Sequence, residues 1–91
     1  MSYFVEWRAA AHERLERIWM AADDKRDVLR AANGIDNLLA NNPHLDHAIQ
    51  LGEERTLIVE PLAVDFNVSE TERKVLIISV WMIGYLHDEV Q

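Results

Sequence analysis

Residues 74–83, KVLIISVWMI, restrict the fold more tightly than any other stretch, because they are apolar on both sides of an extended chain. In a strand, Val75, Ile77, Trp81 and Ile83 stand on one side and Leu76, Ile78, Val80 and Met82 on the other. Such a strand needs partners on its edges and cover on both faces. It is therefore expected at the centre of a sheet, under helices on one face and under something apolar on the other. The run is far shorter than the ~20 residues that a bilayer-spanning helix takes, so no membrane segment is expected.

The rest of the chain supplies what that strand requires. Tyr3, Val5 and Trp7 share one face of an opening strand. Ala11, Leu15, Ile18 and Ala22, with Trp19 beside them, recur at helical spacing, and Glu13, Arg14, Glu16 and Arg17 point elsewhere. Asp23-Asp24 can accept from the free amides that start a second helix, and Asp27 suits its first turn. Val28, Ala32, Ile35 and Leu39, flanked by Leu29 and Leu38, form its buried stripe. Asn41-Asn42-Pro43 stops it, because proline disfavours helical geometry in the residue before it.

Residues 44–54 have only a weak pattern and carry no assignment, although Leu45 and Ile49 can pin them to the body. From Arg55 the period is two. Residues 56–60 form a strand, and Pro61 marks an edge, bulge or tight connection because it has no amide to donate. Leu62, Val64, Phe66 and Val68 alternate with Ala63, Asp65 and Asn67 in a half-buried strand, and residues 69–73 form a polar hairpin turn. Asp65 is expected on the open sheet face, against a partner's cation or water. Residues from Gly84 onward form a polar tail.

The fold class is therefore α+β. It has a small curved sheet of four strands in the order β-α-α-β-β-β, mainly antiparallel with the first strand parallel to the last, and a helical hairpin on one face. Ninety-one residues make a single domain.

Composition narrows the function. Nine Lys and Arg against sixteen Asp and Glu give a net charge of −7, so there is no domain-wide basic footprint for nucleic acid or anionic membrane. The chain has no cysteine, which excludes disulfides, thiolate nucleophiles and cysteine zinc sites. His44 and His47 are three apart with Asp46 nearby, but no second motif completes four ligands, so neither a metal site nor a cofactor is expected. The opening MSYFVEWRAA lacks the basic region, long apolar run and cleavage site of an export signal, and the expected location is the cytoplasm.

In this order the segments resemble the RelE/ParE superfamily, the small toxins of type II toxin–antitoxin modules. The resemblance lies in Val5-Glu6-Trp7 with Ala10-Ala11, the Leu15-Glu16-Arg17-Ile18-Trp19 helix and Ile35-Asp36-Asn37-Leu38-Leu39. It continues through the Arg55 to Val68 strands around Pro61-Leu62 and the final Lys74 to Trp81 strand, and so covers nearly the whole of residues 1–91. It implies a cognate antitoxin as partner, growth inhibition, and a plasmid-stabilisation role.

Members that act on RNA cut ribosome-associated messenger RNA and leave a 2′,3′-cyclic phosphate. A group must then activate the ribose 2′-hydroxyl, cations must stabilise the phosphorane, and an acid must protonate the leaving oxygen. Such sites place Arg or Lys in the middle strands and a basic or Tyr/His pair after the last strand. Here Arg55 matches the strand arginine, Arg73 or Lys74 lies near the following turn, and Tyr85 and His87 come shortly after the last strand. Met82-Ile83-Gly84 stands where an RNA-cutting relative would show Arg or His. Binding without an efficient nuclease site is therefore the leading expectation.

Other members poison DNA gyrase by binding. For a partner surface the candidates are Trp19, Ile78, Val80, Trp81 and Met82, since large aromatic and apolar side chains dominate binding surfaces. The acidic charge implies a partner with positive patches or an interface carried mainly by apolar area. The competing readings are a noncatalytic homodimer that hides its spare sheet face, and a metal-independent ribonuclease built on Arg55, Arg73, Tyr85 and His87.

Overall fold

A computed structural model describes residues 2–44, the backbone of residues 49–51, and residues 54–83. The elements are β1 (Phe4–Trp7), α1 (Ala9–Ala21), α2 (Lys25–Asn41), β2 (Ile49–Leu51), β3 (Glu54–Val59), β4 (Leu62–Ser69) and β5 (Lys74–Met82). They form one sheet in the order β1-β5-β4-β3-β2. β1 runs parallel to β5, and the remaining pairs are antiparallel. The order and strand directions expected from the sequence are thus present, with both helices lying between the parallel strands as a crossover.

Two differences have physical causes. β2 adds a three-residue edge strand in the stretch of weak pattern; it is aligned by its ladder to β3, from Ile49 opposite Thr56 to Leu51 opposite Glu54. β5 is interior, as expected, but the middle of the sheet belongs to β4, which lies between β5 and β3.

Local signals explain the boundaries. Asp24 caps α2 by accepting from the Asp27 amide at 3.2 Å, and Asp27 stands in the first turn. The helix ends at Asn41, whose side chain donates to the Asn37 carbonyl at 2.8 Å, just before the buried Pro43. Pro61 makes the tight connection: the Glu60–Pro61 bond is cis, and Val59 pairs with Leu62 directly across the turn.

The core lies between the helix pair and one sheet face. Val28, Ala31, Ala32, Ile35 and Leu39 of α2 meet Leu57, Leu62, Val64, Phe66, Val75 and Ile77 of the sheet, and Ala11 joins from α1. Leu29 and Leu38 do not flank this stripe as expected: they are 48% and 37% exposed, and the fully buried Ala31 takes the place beside Val28. A small residue there lets α2 sit close to the sheet.

A β-bulge reverses the faces of β5. Asp65 pairs with Ser79 and Phe66 with Ile77, leaving Ile78 as the extra residue. Past this point the alternation is shifted by one. Val80 therefore joins Val75 and Ile77 in the core at 3% exposed, whereas Trp81 turns to the opposite face, beside Ala63. Simple alternation put Trp81 with Val75 and Val80 with Leu76, and the bulge corrects both.

Candidate functional site

Among the described residues, the helices cover one face of the sheet and leave the other open. The registers stack this open face into rows. Ile58, Ala63 and Trp81 lie side by side, then Thr56, Asp65 and Ser79, then Asn67, Leu76 and Glu6, and finally Ser69, Lys74 and Phe4. Phe4, at one end of this face, is 66% exposed, and Ile58, at the other, is 37% exposed.

At the centre of this face Asp65 is held by two hydroxyls. Thr56 Oγ1 donates to Oδ1 at 2.6 Å, and Ser79 Oγ donates to Oδ2 at 3.2 Å. The bulge makes this possible, because it aligns Ser79 with Asp65. Two residues along β4, Asn67 has a buried side-chain oxygen without a hydrogen-bond partner among the described residues. The cation on this face, Lys74, is already paired with Glu6 at 2.7 Å. That pair, with the Glu6 hydrogen bond as the main cause, raises the Lys74 pKa above its ordinary value.

A second group of polar side chains closes one end of the sheet. Tyr3 Oη donates to Glu70 Oε1 at 2.7 Å, and Glu70 Oε2 also meets His44 Nε2. Arg55 Nη1 donates to His44 Nδ1 at 2.6 Å. A neutral imidazole with its proton on Nε2 satisfies both contacts, accepting from Arg55 and donating to Glu70. The Arg73 guanidinium lies over the Tyr3 ring at 4.6 Å, and its Nη1 is 3.8 Å from Glu70 Oε1. Arg73 reaches this position from a turn residue with φ of 53°, a left-handed conformation that side chains disfavour. The Tyr3 hydrogen bond, then the His44 one, lowers the Glu70 pKa, and the same Glu70 bond raises that of Tyr3.

The sequence candidates divide accordingly. Arg55 and Arg73, which are 18 residues apart in number, come into one cluster through His44 and Glu70, whereas Tyr85 and His87 lie outside the described residues. Sequence reasoning missed Tyr3 and Glu70 and weighed His44 only as a metal ligand, since a tyrosine ahead of a strand, a loop histidine and a turn glutamate carry no spacing that links them.

Of the partner candidates, Trp81 is half-buried on the open face, whereas Met82, paired with the core residue Leu62, lies on the helix side at the end of β5 and is 45% exposed. Ile78 lies at the β5 edge, in a recess shared with Ala10, Ala11 and Arg14 of α1. Trp19 packs against the core from α1 under Lys25, whose Nζ is 5.6 Å from the ring centre. Val80, being buried, is unavailable to a partner. An open groove of about 880 Å³ along the outer side of α2, lined by Leu29, Arg30, Asn33 and Asn37 among others, touches neither group. Among the described residues no cluster of three or more potential metal ligands exists, and no helix is long and apolar enough to cross a membrane.

This architecture is that of the RelE toxins. A chain of the toxin–antitoxin complex RelBE2 from Mycobacterium tuberculosis superposes with a TM-score of 0.72 at 14% identity, over 90% of this chain and 99% of that one. The Escherichia coli toxin RelE, as a mutant in the free state, gives 0.70 at 14% identity over 98% of this chain and 90% of that one. A chain of the archaeal RelE-RelB complex from Pyrococcus horikoshii gives 0.65 at 15% identity, over 92% and 98%. By sequence, no protein-family model and no curated protein matches the chain. At such identities the shared property is the RelE-like fold.

Proposed function

We propose that this chain is the toxin-like component of a type II toxin–antitoxin module. It binds a cognate antitoxin and inhibits growth through a cytoplasmic target, without an efficient nuclease site. The observation that carries the reading is the RelE-like sheet with one face left open by the helices and lined by Ile58, Leu76 and Trp81. Apolar surface of this kind gains free energy when covered, and a disordered antitoxin arm that folds on contact is a suitable cover. The solved neighbours include toxin–antitoxin complexes, which supports the choice of partner.

The end cluster supports a second reading, a metal-independent ribonuclease. Two arginines, a histidine, a tyrosine and a carboxylate are the right kinds of group for cyclising phosphodiester cleavage. It ranks lower because Glu70 already engages Arg73, Tyr3 and His44, so the Arg73 charge stands partly compensated before any phosphate arrives. Replacing Arg55 and Arg73 by Ala together, with Tyr85→Phe and His87→Ala, separates the two readings: toxicity survives in the first and disappears in the second.

Inducible expression tests the proposal itself. Growth should arrest on induction and resume when the neighbouring reading frame is co-expressed. Normal growth at high soluble expression would contradict the reading.

A further inference from the structure

Asp65 occupies the middle of the open face, half-buried, and among the described residues no cation pairs with it. A carboxylate offers about four lone-pair sites, and the Thr56 and Ser79 hydroxyls fill one on each oxygen. Its orientation is therefore fixed while, among the described residues, half its accepting capacity stays unused. Asn67, about 7 Å further along the same side of β4, adds a buried oxygen with no hydrogen-bond partner among the described residues. Beside it is a recess of about 200 Å³ that Glu72, Lys74 and Leu76 also line.

These acceptors lie between apolar groups, with Ile58 and Trp81 on one side and Leu76 on the other. A ligand that suits this arrangement is a flat, donor-rich cation on an apolar stem. An arginine side chain has that form, with five N–H donors in a rigid fork and a stem that can lie along apolar surface. The acidic net charge of −7 draws such a partner and repels an acidic one.

We infer that the open face is a docking surface for a partner segment that seats an arginine on Asp65 and Asn67 between apolar side chains. The inference rests on the antitoxin-binding reading above and gives that partner a charge: its anchoring residue is basic. Asp65 and Asn67 supply the specificity of the contact, and Trp81, Ile58 and Leu76 supply its buried area.

The test is an amide NMR titration of the full chain with two synthetic peptides, acetyl-Leu-Ile-Arg-Leu-Ile-amide and the same peptide with citrulline in place of arginine. Citrulline keeps the shape and loses the charge. The arginine peptide should move the amides of Thr56, Asp65, Asn67 and Ser79, and should bind about tenfold more tightly than its citrulline twin. Asp65→Asn, with a spectrum otherwise matching the parent, should remove that preference. Equal binding of the two peptides, no shifts on this face, or concentration-dependent shifts there without peptide, the mark of a second copy, would overturn the inference. Growth arrest on induction is scored separately. Arrest without arginine preference sinks the anchor and leaves the toxin reading, whereas arginine preference without arrest does the reverse.

Discussion

The indole Nε1 of Trp7 donates to Asp36 Oδ1 at 2.7 Å, joining the first strand to the second helix across 29 residues of sequence. This bond holds α2 over the parallel β1–β5 edge, and it gives the half-buried Asp36 a donor. Trp7→Phe should cost about 1–3 kcal/mol, because a hydrogen bond to a charged group is lost and the carboxylate remains without it. Urea unfolding reads the change as a lower midpoint at constant slope. An unshifted midpoint would mean that the pair does not tie the helix to the sheet.

The bulge at Ile78 makes neighbouring residues respond oppositely. Val80→Asp puts a carboxylate into a core position that is 3% exposed and should cost several kcal/mol, about enough to unfold so small a domain. Trp81→Ser, on the open face, should leave the fold intact. Circular dichroism melts of the two variants check this, and a reversed order would restore the uninterrupted alternation.

On the second helix, Ile35→Ala should destabilise by about 2–5 kcal/mol, since its side chain is wholly buried. Leu29→Ala should fall within about 0.5 kcal/mol of the parent, because Leu29 faces outward at 48% exposure. Equal losses in thermal unfolding would place Leu29 in the buried stripe after all.

Acid and alkali should loosen the end cluster through different groups. Glu70 has a lowered pKa, first through the Tyr3 hydrogen bond, so its contribution is present above its unfolded value and is lost as pH falls through the folded one. Tyr3 has a raised pKa through the same bond, so its contribution is full below the ordinary tyrosine value and is lost as pH rises through the folded one. Tyr3→Phe should move the Glu70 carboxyl titration upward, toward the ordinary range, when followed by carbon-13 NMR. A Glu70 titration unmoved by this substitution would contradict the hydrogen bond.

How far the sequence revealed this molecule depends on the range of each signal. The helices and the β3–β4–β5 meander were legible because their buried stripes repeat locally, as Ala11-Leu15-Ile18 and Leu62-Val64-Phe66 do. β2 was not, since a three-residue strand is positioned by its partner's free edge and not by its own pattern. The bulge left no mark in an unbroken apolar run, and the single extra residue exchanged the faces of Val80 and Trp81. Asp65 was placed correctly on the open face from alternation alone, but the hydroxyls that hold it come from strands whose register only the fold sets. Arg55 and Arg73 were recognisable as strand and turn cations. Their meeting with Tyr3, His44 and Glu70 depends on the chain closing on itself, with Tyr3 and Glu70 67 positions apart.

Hydrogen exchange of the chain, alone and bound to the product of its neighbouring reading frame, tests the central claim most directly. Added protection should fall on the open-face strands, at residues 56–58, 63–67 and 76–81, with α1 and α2 little changed. Protection confined to the outer surfaces of the helices, with these strands unaffected, would contradict the assignment of the open sheet face as the partner's seat.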